Sequence, residues 1–589
     1  MLSSDYTSNG MKQESRLCQN CKNEFVIEPE DFAFYEKISV PPPTWCPECR
    51  MMRRMSFGNH LNMYKRKDDL NKKEILSVYD KDAPFPVYTT EDWWSDKWDP
   101  LQFGREYNFK VPFFSQFLDL YHKVPQMNLV NINSINCDYC PKIVNAKSCY
   151  LSIGFGIENC IYGYYSRYSK DSISYFNLNF SEKCYECVDC YKCYSLFFSQ
   201  DCVECYDSKF LIDCRNCHDC FGCVNLRNRS FCIFNKQYTK EEYKKIMNEY
   251  DFGSNEGIKQ AMEKLSNLKI SLPRRYSILN KCSNVTGNHV SNSIDSFDCF
   301  DISEDSSLER VKYLIVGSSM RDCYDSFTGG EGIELSAEFM LTFGGRNNFA
   351  TINVLESYNV KYSIDCYNSS NLFGCVGLRK KEYCILNKQF TKKEYDVLLP
   401  KIIQNMIDNP FLDNKGRIYK YGEFFPDEFS PFAYNKTVAQ ENFPLKKEQV
   451  LDRGYSWKDR EKRNYQVTIK SKDLPDHIKD VQDNILNQVI GCEHEGKCNE
   501  QCTEAFRIIP QELKFYREMN LALPKLCPNC RHYQRMKQRS PLKLWQRACM
   551  CEVKNHGHEE KCQNEFETSY APDRPEIVYC EACYKDEVA

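Results

Sequence analysis

The chain lacks any apolar stretch near the roughly 18 residues that a membrane helix needs, and its opening, MLSSDYTSNG, lacks the apolar core of a signal peptide. Both absences predict a cytoplasmic protein with no membrane partner. Charge of one sign is lacking too. With 78 Lys+Arg against 82 Asp+Glu the formal net charge is −4, which excludes a generally basic nucleic-acid coat and a strongly acidic tail. Any charged site has to be local. Disorder is excluded as well, because 42% of the residues are hydrophobic and 14% aromatic, and 589 residues predict several globular units. There is no P-loop, no HExxH, no GxSxG and no dinucleotide fingerprint, so no catalytic residue is nominated.

What the sequence has in excess is cysteine, 35 residues beside only nine His. In a reducing compartment, clustered cysteines serve more often as metal ligands or small buried side chains than as disulfides. Three ribbon-like sets stand out. Cys18, Cys21, Cys46 and Cys49 form two CxxC knuckles, a pattern that holds four thiolates around Zn2+. The C-terminal region repeats the design 481 residues later: Cys21, Phe25, Pro29, Tyr35, Cys46, Cys49, Arg50 and Arg54 match Cys502, Phe506, Pro510, Tyr516, Cys527, Cys530, Arg531 and Arg535. Its first ligand shifts by one residue, to Cys498. A third ribbon follows with Cys562, Cys580 and Cys583; Cys551 is nominated as its fourth ligand, with Cys549, His556 and His558 competing, while Cys492 stays unassigned. The expectation is about three Zn2+ per chain in closed, structural sites.

A second population comprises 15 cysteines between Cys137 and Cys232. They sit in short pieces of polar residue, Cys or Ser, then aromatic or β-branched residue, returning every 9 to 12 residues. That period predicts a β-solenoid whose narrow interior takes small side chains. An internal duplication supports packing over a metal cluster. Phe221-Gly-Cys-Val-Asn-Leu-Arg reappears 152 residues on as Phe373-Gly-Cys-Val-Gly-Leu-Arg, yet Cys217 becomes Ser369 and Cys220 becomes Leu372, which cannot ligate.

The fold class expected is mainly β, a duplicated Cys-rich β-solenoid with capping helices, flanked by an N-terminal zinc ribbon and tandem C-terminal zinc ribbons. Its segments are residues 1–65, a ribbon with a basic follow-on; 66–130, a Trp-rich connection; 131–250, the first solenoid repeat with its capping helix; and 251–280, a linker. Residues 281–405 form the second repeat, 406–490 an extended segment and a helix bearing Ile478, Val481, Ile485 and Val489, and 491–589 the tandem ribbons. Thr239 with Glu242, and Thr391 with Glu394, read as capping boxes. Trp93, Trp94 and Trp98 read as a pin holding a long loop against the solenoid, with a ligand-stacking surface as the alternative.

Residues 50–67 carry six Lys/Arg and no acid, and 525–554 carry eight against Glu552 alone. Both runs follow the second knuckle of a ribbon. Arg50, Arg53, Arg54, Arg531, Arg535, Lys537 and Arg539 are therefore the candidate contacts to RNA, DNA or a nucleoprotein such as the ribosome. The alternative is a protein-interaction or structural repeat protein whose zinc sites only build the fold. An enzyme working in the solenoid groove, using acids such as Asp295, Asp298 and Asp301, ranks third. Oligomeric state leaves no trace in the sequence.

The segments CPECRMMRR at Cys46, FPVYTTEDWWSDKWDP at Phe85, NCHDCFGCVNLRNRSFCIFNKQYTKEEY at Asn216, SPFAYNKTVAQENFPL at Ser430 and CPNCRHYQR at Cys527 carry a resemblance. Over most of its length the chain resembles large zinc-ribbon, Cys-rich repeat proteins encoded by candidate-phyla (Patescibacteria-type) bacteria. The resemblance implies zinc and a repeat body and brings no activity with it. It departs at Lys67 to Leu70, KDDL here and cysteine-bearing in some relatives, which puts a fourth ribbon in doubt.

Overall fold

A computed structural model describes residues 13–588 apart from 303–307, 313–319, 325, 330–331 and 461–464. The chain divides into two compact units built from interleaved segments: Met1–Asn128, Ser277–Lys458 and Leu542–Leu544 in one, Leu129–Tyr276, Asp459–Pro541 and Trp545–Ala589 in the other. Each unit holds one parallel β-solenoid and two ribbon hairpins. The N-terminal ribbon thus belongs with the second solenoid repeat, and the C-terminal ribbons with the first.

In the second unit the coils run from Val130–Ile132 to Tyr206–Lys209 and on through single bridges to Ile233. Parallel partners lie mostly 12 residues apart, as in Ile161 with Ile173 and Phe176 with Val188, and 11 apart in an early coil, as in Lys142 with Ile153. The backbone explains this period. Every third residue turns a corner in the left-handed region: Lys183, Glu186, Asp189 and Lys192 have φ of 54°, 50°, 52° and 52°. Between corners sits one inward residue, so a coil comprises four triplets of corner, inward side chain and β residue. Non-glycine residues pay about 1 to 2 kcal/mol for this conformation, least for the Asn and Asp that recur at the corners.

The inward residue closes the corner. Cys184, Cys190 and Cys193 each donate a thiol hydrogen to the carbonyl two residues back at 3.4 Å, and Ser172 does the same to Lys170 O at 2.7 Å. Several thiols also reach a carbonyl of the next coil, Cys187 to Leu196 O at 3.2 Å and Cys205 to Cys214 O at 3.3 Å. A small buried donor is what the position wants, which is why Cys and Ser alternate there. Size still matters. The Tyr175 ring fills the interior above Gly163, where an added Cβ would lie 2.0 Å from the ring.

The solenoid of the first unit repeats the 12-residue spacing, with Ala337 opposite Phe349 and Phe349 opposite Lys361. Its inward column mixes Phe339, Val354, Val360, Leu372 and Leu378 with Ser and Thr and with the cysteines Cys282, Cys299, Cys323, Cys366, Cys375 and Cys384. Helices Lys240–Met247 and Lys392–Asp408 follow the two solenoids, each opened by the expected capping box, Thr239 with Glu242 and Thr391 with Glu394. Residues 478–489 differ from expectation. Extended residues at Val481 and Gln488 break the helix into 3-10 turns, Ile478–Asp480 and Asp483–Asn487, although Ile478, Val481 and Ile485 stay buried. Among the described residues no helix is long and apolar enough to cross a membrane.

Candidate metal centres

Each ribbon is a short antiparallel hairpin followed by a helix that starts on a ligand. Glu14–Leu17 pairs with Glu24–Ile27, and the helix Pro47–Met55 is capped by Cys46 with proline at its first position, where no amide is needed. Pro528–Gln538 is capped by Cys527 in the same way. Three groups of four sulfurs result: Cys18, Cys21, Cys46 and Cys49; Cys492, Cys502, Cys527 and Cys530; Cys549, Cys562, Cys580 and Cys583, each with ligand atoms within 4.8 Å of one another.

Sulfur separations of 3.7 Å for Cys21 to Cys46, 3.9 Å for Cys492 to Cys530 and 4.0 Å for Cys562 to Cys580 fit a tetrahedron. A metal–sulfur bond of about 2.3 Å demands an edge of about 3.8 Å. The groups can therefore hold metal ions.

The second and third groups differ from the ligand sets expected from sequence. Cys492 replaces Cys498, and Cys549 replaces Cys551. A repeated hydrogen bond identifies the first ligand in every case. The amide that opens the second knuckle donates to it: Cys46 N to Cys18 Sγ at 3.2 Å, Cys527 N to Cys492 Sγ at 3.3 Å, Cys580 N to Cys549 Sγ at 3.2 Å. The structure places it at the same point of each frame. The first ligand directly follows the first hairpin strand, which ends at Leu17, Gly491 and Ala548. What hid it is spacing, for the first two ligands stand 3, 10 and 13 residues apart in the three ribbons. The displaced residues remain close by: Cys498 Sγ is 3.7 Å from Cys530 Sγ, Cys551 Sγ is 3.2 Å from His556 Nδ1, and His558 Nε2 is 3.4 Å from Cys583 Sγ.

Without a cation the thiols share protons unequally. Hydrogen bonds from Cys46 and Cys49 hold the Cys18 thiol well below its ordinary pKa, and donating to Cys18 pushes Cys46 up to about 12. Donors Cys492, Cys502 and Cys530 likewise lower Cys527, while burial raises Cys549 to about 11. A metal has to displace the retained protons, so binding releases them and weakens in acid.

A fourth hairpin has the same frame and no thiol. Tyr64–Lys67 pairs with Glu74–Ser77 in the register of the first ribbon, every residue 50 positions on. Asp68 N donates to Lys73 O at 2.8 Å as Cys18 N does to Asn23 O at 2.9 Å, and Lys72 has the left-handed φ of Lys22, 59° against 63°. Asp68, Asn71, Thr89 and Asp92 occupy the ligand positions. Asp92 accepts from the Asn71 amide, the Thr89 hydroxyl and Lys97, so side-chain hydrogen bonds close this ribbon. Its counterpart is the third ribbon, because Val87-Tyr88-Thr89 and Val578-Tyr579-Cys580 both add a parallel strand, to Gln126–Met127 and Arg274–Arg275.

Most of the basic residues nominated for nucleic acid are turned inward, and Arg50, Arg54, Arg531, Arg535 and Arg539 lie against solenoid residues. Arg54, fully buried, pairs with Glu338; Arg50 Nε is 3.0 Å from the same carboxylate; Arg53 is 3.4 Å from Glu423 and 4.3 Å above Trp45. In the other unit Arg535 makes two bonds to Glu186 at 2.8 and 2.9 Å, Arg531 is 3.3 Å from Glu512, and Arg539 Nε is 3.0 Å from Asp189. Lys537 alone is mostly exposed, and it pairs with Glu500. A buried, paired guanidinium offers nothing to a phosphate, so these six arginines are corrected from ligand contacts to internal keys. The key is duplicated. Arg54 and Arg535 are 481 residues apart and their acids, both left-handed corner residues, 152 apart, the spacings of the ribbon and solenoid repeats. A second key joins Arg379 to Trp93, with the guanidinium 5.2 Å from the ring, and Arg227 to Tyr584 OH at 3.3 Å. Of the three tryptophans expected to form a pin, Trp93 and Trp98 are buried and Trp94 is 38% exposed.

Asp295, Asp298 and Asp301 are corner residues with φ of 48°, 53° and 59°. All cysteines are free of disulfides. In the solenoid, burial pushes Cys140 up to about 12 and Cys160 to about 11, keeping them as neutral donors. Cys217 goes the other way, lowered by hydrogen bonds from Cys205, Cys214 and Cys220.

No family model and no curated protein matches the chain. Among solved structures, a crystal structure from Desulfovibrio desulfuricans G20 assigned by name to an acetyltransferase shares 8% identity over 52% of this chain and 79% of its own, with a TM-score of 0.10, a likeness that carries no argument.

Proposed function

We propose that the protein is a non-enzymatic scaffold, two solenoids stapled by ribbons whose resident ion is Zn2+, and that it serves protein interaction rather than nucleic-acid capture. The observation that carries this reading is the duplicated arginine key, which commits the ribbon cations to the solenoid acids Glu338 and Glu186. Four-thiolate groups favour Zn2+ as closed structural sites. The solenoid surface is left for partners, and it displays a column of half-exposed aromatic rings, Phe155, Tyr168 and Phe180, with centroids 5.4 and 5.2 Å apart. Such rings are enriched where proteins meet.

Fluorescence anisotropy with labelled single-stranded RNA and duplex DNA tests the choice. Weak binding without a salt slope is expected for the intact chain, and Lys537→Ala changes nothing. A log–log salt slope of several units would restore the nucleic-acid reading. Elemental analysis of the same preparation is expected to find zinc, and iron–sulfur absorbance would overturn the metal assignment.

A further inference from the structure

The loop that separates the first two ligands of the second ribbon, residues 493–501, carries three further ligand types, His494, Cys498 and Glu500. Together with Cys530 they form a second group whose ligand atoms lie within 4.8 Å of one another. Cys530 belongs to both groups. Its sulfur stands 3.9 Å from Cys492 Sγ on one side and 3.7 Å from Cys498 Sγ on the other. An independent observation points to a ligand between them. His494 Nδ1 and Glu500 Oε2 are both buried with no hydrogen-bond partner, although they face each other at 3.1 Å. Both atoms therefore stand within reach of one cation placed beside the two sulfurs.

We propose that the second ribbon holds a binuclear centre, in which the Cys530 thiolate bridges the ion of the four-thiolate group to a second zinc-type dication held by His494, Cys498 and Glu500. The donor set of one nitrogen, two sulfurs and one oxygen suits a borderline dication of the zinc class. The second dication arrives with two anionic ligands, the Cys498 thiolate and the Glu500 carboxylate, whose other oxygen stays on Lys537. The first ribbon is the built-in control. Its first two ligands are only 3 residues apart, so in place of the loop 493–501 it has just Gln19 and Asn20 and no counterpart of His494, Cys498 or Glu500. His494 and Cys498 are partly exposed, so the second ion exchanges with solvent while the first is enclosed.

This rests on reading the four-thiolate groups as metal sites, and the experiment keeps the two apart. Native mass spectrometry of the full chain loaded with Zn2+ is expected to give at least four ions. Cys498→Ser and His494→Ala should each lose one ion relative to wild type, with amide protection of residues 505–538 unchanged. Cys502→Ser should lose two and unfold that ribbon. In a 113Cd2+-loaded sample the bridge predicts two mutually coupled 113Cd resonances, and Cys498→Ser should remove one of them and the splitting of the other. An unchanged count in Cys498→Ser, or a wild-type count of three, overturns the binuclear centre alone. Fewer than three would sink the four-thiolate reading as well.

Discussion

The two units are built to one plan, a 12-residue solenoid clasped by two ribbons, and they close those ribbons by different chemistry. In the unit containing the first solenoid both ribbons present four thiolates, whereas in its counterpart one ribbon does and the other substitutes Asp68, Asn71, Thr89 and Asp92. On the zinc reading proposed above, the difference teaches what a metal would contribute. A hairpin of four-residue strands buries too little to hold itself, and either a cation or a set of directed hydrogen bonds, backed by packing such as that of Trp93, finishes it. The interiors diverge in parallel. The first solenoid stacks mostly thiols, the second fewer thiols among Val, Leu, Phe and Ser, because the position asks for small or well-packed groups and prefers a donor to the corner carbonyl.

Metal removal should break the comparison most strongly, since structural Zn2+ contributes about 10 to 16 kcal/mol in small ribbons. Chelation followed by amide exchange is expected to expose residues 14–55, 490–538 and 545–588, while the hairpin at 64–77 keeps its protection. Loss of protection there would mean that this ribbon depends on its neighbour rather than on its own hydrogen bonds.

The buried keys come next. Arg535→Ala leaves Glu186 unpaired and Arg54→Ala leaves Glu338 partnered by Arg50 alone, so each should cost about 3 to 5 kcal/mol in denaturant unfolding, with Arg535→Ala the more damaging. A cost below about 1 kcal/mol for both would show that the ribbons are held by apolar contact and not by the key.

The smallest effect is expected from making one solenoid resemble the other. Cys217→Ser with Cys220→Leu copies Ser369 and Leu372, and should cost on the order of 1 to 2 kcal/mol at most with the metal count unchanged. Loss of bound metal would instead place a thiolate cluster inside the coil, where Cys205, Cys214 and Cys220 surround Cys217.

Much of this was legible before any coordinates. The CxxC pairs, the repeats at 481 and 152 residues, the solenoid and the two capping boxes are local patterns, set by spacing and by the residue types a knuckle, coil or cap accepts. The first ligands Cys492 and Cys549 were not, because insertions of variable length move a ligand along the chain without moving it in space. The arginines were misread for a related reason. Sequence shows that a run is basic; only the fold shows that Glu338, 284 residues from Arg54, and Glu186, 349 from Arg535, stand opposite. Charge is written locally, whereas its partner is chosen by long-range packing. The pairing of each ribbon with a solenoid far from it in the chain, and the hydrogen bonds that close the thiol-free hairpin at Asp68, were decided at that level alone.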